Sequence, residues 1–140
     1  MMALSEQGGA MANANEQVIR DSVTAMTSGD MENLPGFFDE NVVVHVPGAN
    51  QISGHYKGKA SFFEDFFGKI MGLTGGQFVL DPHDFASSEE HVVGIYNITA
   101  TRDGKAYSYP HVNVYHVRDG KIAEVWQHPG DVATWNDFWS

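Results

Sequence analysis

The sequence predicts an α+β domain in which N-terminal helices pack on a curved, mainly antiparallel sheet. Apolar residues recur at helical spacing in the first half of the chain, whereas the second half alternates apolar and polar residues with a period of two. Two connections between the alternating segments carry Asp-Gly, at Asp103-Gly104 and Asp119-Gly120, which is a hairpin signal. Helices followed by a meander of hairpins are typical of this fold class.

Helices are predicted in the first half from apolar spacing and from their end signals. Residues 16–28 form the first helix with Gly29 as its stop, and Asp30 caps a short second helix through Phe38. A third helix is predicted over residues 58–71. Its dense aromatic set can cover a sheet or line a cavity: Phe62, Phe63, Phe66 and Phe67. The final segment, GDVATWNDFWS, is predicted to pack as a short turn or helix.

The first strand is predicted at residues 41–46, ahead of the third helix. The meander then supplies four more strands, at residues 77–87, 91–102, 105–118 and 121–128. No internal repeat or linker interrupts this order, so residues 16–140 are predicted to form one domain. The preceding residues 1–15 are rich in Ala, Gly, Asn and Gln, and we predict that they form a mobile tail.

Composition excludes several classes of partner and chemistry. The chain of 140 residues has 18 acidic and 8 basic residues, and its formal charge of −10 repels phosphate backbones and anionic membranes. We therefore expect neither a nucleic acid nor a membrane as partner. There is no cysteine, which excludes disulfides, thiol catalysis and thiolate metal sites. The first residues lack the basic and apolar regions of a secretion signal, and we expect a cytoplasmic location.

His45 is an ionisable ring inside a run of valines, Val42-Val43-Val44 and Val46, that ends at Pro47-Gly48. With an ordinary pKa near ~6.5, histidine is the side chain best placed to move protons at neutral pH. Two interpretations stay open from the residues alone. The ring either lies on a solvated face of the strand, or it faces a pocket and transfers protons there.

One face of the penultimate strand is unusually polar. Alternation along the strand puts five residues on that face: Tyr107, Tyr109, His111, Asn113 and Tyr115. The other face carries Val112 and Val114 and is mainly apolar. The polar set either lines a pocket, or it faces water while the valines face the core.

The facing of the last strand depends on the turn at Asp119-Gly120. A two-residue turn would bring Trp126 and His128 to the polar face of the preceding strand. A three-residue turn with a bulge would bring Val125 and Gln127 there instead. Both registers stay open from the residues alone.

The chain has seven histidines, which invites a metal interpretation. His45, His111 and His128 could converge, but no close His-x-His or His-x-x-x-His spacing supports a preformed site. We therefore predict no metal site.

Four motifs resemble the nuclear transport factor 2-like superfamily: FFDENVVVHVPG, SGHYKGKASFFEDFF, VNVYHVRDGKIAEVWQ and GDVATWNDFW. The closer branch is similar to the SnoaL-like polyketide cyclases and ketosteroid isomerase-related proteins. The resemblance covers about residues 16–140. It implies a cone-shaped fold in which the helices and the concave sheet face enclose an apolar pocket. It also implies a homodimer through the outer face of the sheet.

Position by position, the resemblance places His45 where ketosteroid isomerase has its general base, at the end of the first strand. It favours a penultimate strand whose polar face lines the pocket, and a last strand with Gln127 in the pocket and Trp126 on the opposite face. The isomerase's tyrosine aligns with Ser22, and its second oxyanion donor aligns near Asn113. The cyclase histidine and aspartate align near Asn113 and Gln127, so none of the family's known active sites is intact.

Together these residues predict cofactor-independent acid–base catalysis on a small apolar or aromatic substrate that is polyketide-, steroid- or terpenoid-like. The reaction would be an isomerisation or a cyclisation. His45 would be the base, and hydrogen bonds to the developing negative charge would come from Tyr96, His111 and Asn113. The predicted substrate-binding residues are Phe63, Phe67, Tyr115, Gln127, Trp126 and His128.

The alternative is a non-catalytic ligand-binding or dimerisation module on the same fold, because the catalytic sets of the family are lost. The two functions predict different cavities. A deep cavity that holds at least two of the four candidate catalytic residues would favour catalysis. A cavity plugged by aromatic side chains would favour a structural role.

Overall fold

The computed structural model of the protein describes residues 2–140, with side chains from Ala12 onward. Its α-helices are α1 (Met2–Thr27), α2 (Lys59–Ser61), α3 (Gly68–Thr74) and α4 (Val132–Phe138). A 3-10 turn, Leu34–Phe37, follows α1, and a π-helical turn, Phe62–Phe67, joins α2 to α3. In this part of the chain no helix is both long enough and apolar enough to cross a membrane.

The strands are β1 (Phe38–Val46), β2 (Gly54–Lys57), β3 (Phe78–Ser87), β4 (His91–Arg102), β5 (Lys105–Arg118) and β6 (Lys121–Pro129). They form one sheet with the order β2-β1-β6-β5-β4-β3. β1 runs parallel to β6, and the other neighbouring strands are antiparallel. The predicted α+β class and the mainly antiparallel sheet are confirmed.

The core lies between the helices and one face of the sheet, which we call the inner face. Alternate residues of β1 are buried there (Val42, Val44 and Val46), as expected for a strand with one face on the core. Ile19 of α1 is fully buried, and Trp135 of α4 is almost so. Helices on one face of a curved sheet leave a hollow between the two layers, and the candidate site lies in this hollow.

Three elements differ from the prediction. α1 begins at Met2 rather than near residue 16, while the mobility of residues 1–15 stays a prediction. The predicted second helix is only the 3-10 turn at Leu34–Phe37, since Pro35 and Gly36 do not support a longer helix. β2 lies between the first predicted strand and the third predicted helix, where no strand was predicted, because a strand of four residues is too short to show alternation.

The register of β6 combines both of the alternatives that the sequence left open. Asp119 and Gly120 form a two-residue turn, each with positive φ (53° and 75°), as a primed hairpin turn requires. The bulge lies inside the strand instead. Val117 pairs with Ile122 while His116 pairs with Glu124, so Ala123 is the extra residue. The bulge restores the phase in which Gln127 faces the core.

Candidate functional site

A cavity lies between the helices and the inner face of the sheet, and we call it the inner cavity. Side chains from α1, the π-helical turn, α3, α4 and five of the strands line it. Its volume is about 80 Å³. The walls are mainly apolar, and none of the described residues that line it is Asp, Glu, Lys or Arg. These walls are suited to an apolar ligand.

Three polar side chains lie together on the inner face: His111 and Asn113 of β5 and Gln127 of β6. Asn113 pairs directly with Gln127 across the two strands, and His111 is two residues from Asn113, so the three share one face. The polar face of β5 therefore lines the cavity, as the resemblance implied. Ser22 of α1 also lines the cavity, but its Oγ donates a hydrogen bond to the carbonyl of Ile19 (2.8 Å).

The ring of His111 is the most unusual group in the cavity. Its side chain is 1% exposed, and neither ring nitrogen has a hydrogen-bond partner among the described residues. The Trp135 ring packs against it with a centroid distance of 5.0 Å. Burial, with a smaller contribution from the charge of His128, lowers the pKa of His111 to about 4. The ring is therefore neutral at physiological pH, with a free lone pair and a free N–H.

Asn113 is tied into a buried hydrogen-bond chain with two tyrosines. Its Nδ2 donates to the Tyr115 hydroxyl (3.2 Å), which lies 2.7 Å from the Tyr96 hydroxyl. Burial raises the pKa of both phenols, so both keep their protons near neutral pH. Tyr96 was predicted to donate a hydrogen bond to the ligand, but it does not line the cavity, so that placement is wrong. A Cβ at Gly94 would overlap the Tyr96 ring. The chain orients the amide and leaves its Oδ1 without a partner among the described residues.

An aromatic wall faces these polar groups, and the π-helical turn builds it. The N–H of Gly68 bonds to the carbonyl of Phe63, five residues earlier, which is the π-helical pattern. Phe62, Phe66 and Phe67 line the cavity. Phe63 was predicted in the wall but is not one of the lining residues. It packs edge-on against Phe38 with ring centroids 5.4 Å apart.

The predicted placement of His45 in the pocket is wrong. His45 lies on the opposite, outer face of the sheet, since Val44 and Val46 on either side of it point inward. Its Nε2 lies 2.5 Å from Oε2 of Glu124, and its Nδ1 lies 2.6 Å from Nδ1 of His55. Both ring nitrogens are thus engaged outside the cavity.

A shallow groove beside His45, which we call the outer groove, holds two further predicted site residues. Trp126 stacks on the His45 ring with centroids 5.7 Å apart, and His128 lines the same groove. Neither lines the inner cavity, so their predicted contact with a ligand there is wrong, whereas the outward facing of Trp126 is confirmed. Gln127 borders both regions. The predicted homodimer through this outer face stays a prediction.

The structure thus brings together four of the predicted residues on the inner cavity wall, namely His111, Asn113, Tyr115 and Gln127, with Phe67 facing them. Sequence reasoning missed His55 as the partner of His45, because it lies on the unpredicted strand β2. Among side chains from Ala12 onward, no three His, Asp or Glu groups converge so that they could hold a metal ion.

Comparisons with known proteins agree with this architecture. A family model described as SnoaL-like domain matches residues 19–125. An uncharacterised protein of Mycobacterium tuberculosis is 23% identical over 129 residues, which are 91% of this chain and 98% of that protein. Bal32a, from a soil-derived mobile gene cassette, is 34% identical, with 93% of this chain and 99% of Bal32a covered and a TM-score of 0.88.

A third similar protein is a candidate polyketide cyclase of Xanthomonas campestris pv. campestris. It is 19% identical, with 93% of this chain and 99% of that protein covered and a TM-score of 0.70. At this level of identity the similarity shows that the fold is shared. Solved structures with a nuclear transport factor 2-like fold, among them one from Burkholderia pseudomallei with a TM-score of 0.79, lead to the same conclusion.

Proposed function

The chain belongs to the SnoaL-like domain family, and from this premise we propose that it catalyses proton transfer on a small apolar carbonyl compound. The reaction is an isomerisation or a cyclisation and needs no cofactor. The observation that carries the proposal is the neutral His111 ring, which has no hydrogen-bond partner among the described side chains and lies beside Asn113 and Gln127 in an otherwise apolar cavity. This combination supports catalysis because a base and amide donors face the same enclosed space.

His111 takes the role of general base. The lone pair of its ring accepts a proton from the carbon next to the carbonyl, and the electrons of that C–H bond move into an enolate. The imidazolium then returns the proton to another carbon, which gives an isomer. Alternatively, the enolate carbon attacks a second carbonyl of the same ligand, and the imidazolium protonates the new alkoxide, which closes a ring.

The amides support the oxygen on which negative charge develops. Asn113 donates one N–H to Tyr115, which leaves its second N–H for the ligand. The Gln127 side chain borders the same space, and its amide can donate as well. A fixed donor aimed at a developing oxyanion is often worth about 3–4 kcal/mol.

The lowered pKa of His111 has a consequence for this chemistry. A lone imidazolium is disfavoured in the cavity because burial removes its solvation. In the reaction, however, the imidazolium forms next to the enolate, so the two new charges stabilise each other. The cavity thus keeps the free base neutral and permits its protonation only when an anion forms beside it.

A solvent-exchange experiment tests the proposal without knowledge of the natural substrate. The α-protons of 2-tetralone, a small apolar ketone, are followed in D2O by proton NMR with and without enzyme. We expect His111→Ala and His111→Gln to slow the catalysed exchange by about 10²–10⁴-fold, the usual contribution of a general base. His45→Ala is the matched control from the outer groove, and its rate should stay within about twofold of the unmodified protein.

The outcomes separate the alternatives. His111→Gln keeps a polar side chain of similar size, and circular dichroism checks that it folds. Unchanged exchange in folded His111→Gln, or a large loss in His45→Ala, contradicts the role of His111. A protein that binds 2-tetralone, seen as quenching of Trp fluorescence, but does not speed exchange would be a ligand-binding module. The cavity also favours that second function in one respect, since no described lining residue is charged.

A further inference from the structure

We propose that the ligand of the inner cavity is elongated, with a polar group at His111 and Asn113 and an apolar tail that ends in a second cavity. This inference concerns the same site as the proposed function and rests on it for the position of the polar group. The second cavity, which we call the mouth cavity, is lined by the end of α1, the turn after it, α3 and β3.

The two cavities are neighbours that share part of their walls. Four residues line both of them: Met26, Phe67, Phe78 and Leu80. Each of the four has an apolar side chain, and Met26 and Phe67 are only partly buried. The four side chains lie between the two cavities, so a ligand that extends from one cavity to the other would pass among apolar groups only.

The size of the inner cavity requires such an extension for a ligand of ordinary metabolite size. The volume of the inner cavity is about 80 Å³, and the volume of the mouth cavity is about 360 Å³. Pockets for small-molecule ligands usually have about 300–1,000 Å³. The inner cavity by itself fits only the reactive end of such a molecule, whereas the mouth cavity has room for the rest.

The two cavities differ in the polar side chains that line them, since Thr27 is the one such described side chain at the mouth cavity. The polar groups of His111, Asn113 and Gln127 all lie at the inner end. The mouth cavity is lined instead by flexible, polarisable methionines, among them Met31 and Met71, which adapt to apolar ligands of different shapes. A molecule with one polar end and one apolar end matches this difference in lining side chains.

Exposed apolar side chains at the mouth are a second, independent observation. Among residues 12–140, the exposed large hydrophobic residues are Met31, Val79 and Val132. Met31 (43% exposed) and Val79 (56% exposed) both line the mouth cavity, whereas Val132 lies on α4. Both side chains border the mouth cavity, so an apolar ligand tail that fills this cavity would cover them. The apolar tail is the occupant that covers them.

A series of 4-alkylphenols tests the inference, from 4-ethylphenol to 4-octylphenol. The phenol group supplies the polar end, and binding is followed by isothermal titration calorimetry. We expect the affinity to rise by about threefold to fourfold for each added methylene, which is the value of about 0.8 kcal/mol per buried CH₂. Affinity that does not depend on chain length would overturn the inference.

Two matched variants show where the tail lies. Val79→Glu puts a charge at the mouth cavity. It should lower the affinity for 4-octylphenol by a factor at least about ten times larger than that for 4-ethylphenol, because the charge must lose solvation when the tail covers it. Val132→Glu makes the same change at a similarly exposed valine on α4 and should weaken neither compound. Equal weakening of both compounds by Val79→Glu, or the same selective loss in Val132→Glu, would place the tail elsewhere.

This result is separable from that of the proposed function, since alkylphenols report binding alone. If affinity depends on chain length but the protein does not speed the exchange of 2-tetralone, the elongated site is supported and the proposed catalysis is contradicted. If the exchange requires His111 but affinity does not depend on chain length, the proposed catalysis is supported and the elongated ligand is contradicted.

Discussion

Two histidines on opposite faces of the same sheet show how burial and partners separate two sites. His111 faces the inner cavity, is 1% exposed and has no hydrogen-bond partner among the described residues. His45 faces the outer groove, and both of its ring nitrogens contact side chains, Glu124 and His55. The inner ring keeps its lone pair and its N–H available for a ligand. In the outer ring both nitrogens already contact neighbouring side chains.

The two environments lie only one residue apart along β6. Trp126 pairs with His45 of β1 and stacks on it, whereas Gln127 pairs with Asn113 of β5 and lines the inner cavity. Successive side chains of a strand point to opposite faces. A shift of one residue in the register would therefore exchange the two regions, and the bulge at Ala123 is the feature that sets the register.

The largest expected difference between the two faces is the response of stability to pH. The pKa of His111 is about 4 in the folded protein, against an ordinary value of 6.5 in the unfolded chain. Between these values the unfolded chain binds a proton that the folded protein does not. The contribution of His111 to stability is therefore fully present above about pH 6.5, and about 3 kcal/mol is lost as the pH falls through about 4.

Urea unfolding at pH 7.5 and pH 4.5 measures this loss. Carboxylates titrate in every variant, so the informative quantity is the difference between proteins. His111→Gln should lose about 2–3 kcal/mol less stability between the two pH values than the unmodified protein does. His45→Ala is the control from the outer face, and its loss should stay within about 1 kcal/mol of that of the unmodified protein, the usual limit for an ion pair that water reaches. If His111→Gln shows the same loss as the unmodified protein, His111 is not buried in a neutral form.

The second prediction concerns the hydrogen-bond chain behind the inner face. A Cβ added at Gly94 would overlap the ring and hydroxyl of Tyr96, so Gly94→Ala must displace this ring from Tyr115. We expect a loss of about 1–3 kcal/mol in the free energy of unfolding, as in other overpacked cores. Gly72→Ala is the matched control. Gly72 lies in helix α3, and a Cβ added there meets nothing within 4 Å. It should be neutral or stabilise by up to about 1 kcal/mol.

The smallest effect is expected on the outer face. Glu124→Gln removes the charge that faces Nε2 of His45, but the two side chains are 34% and 26% exposed. Ion pairs that water reaches contribute about 0–1 kcal/mol, so the loss in urea unfolding should stay below about 1 kcal/mol and shrink further in 0.5 M salt. A salt-independent loss above about 2 kcal/mol would mean that the outer groove is as structurally important as the inner cavity.

Much of the fold could be predicted from local signals. The meander was predicted from the Asp-Gly turns at residues 103–104 and 119–120 and from the alternation in β4 and β5. The polar face of β5 identified His111 and Asn113 as site residues. The placement of His45 failed because it rested on the position of the general base in the resembling isomerase and not on the alternation of the strand itself. The strand itself held a better signal, since Val42, Val44 and Val46 form a wholly apolar face that leaves His45 outside.

Other features could not be predicted because they depend on departures from regular geometry. Residues 62–67 form a π-helical turn rather than a regular helix, and within it Phe62 and Phe66 line the cavity while Phe63 does not. The bulge at Ala123 likewise changes the phase of β6 within the strand, where no glycine or proline marks it.

The sequence by itself determined the α+β class, the hairpins and the residue types available for chemistry, because alternation, helical spacing and turn residues act over a few positions. Only the tertiary structure decided which histidine faces the cavity. Facing depends on strand register, and register depends on pairing between residues far apart in the chain, such as Asn113 with Gln127 and His45 with Trp126. The same pairing buries the His111 ring, which has no hydrogen-bond partner in the described part of the chain, and burial lowers its pKa and keeps the ring neutral.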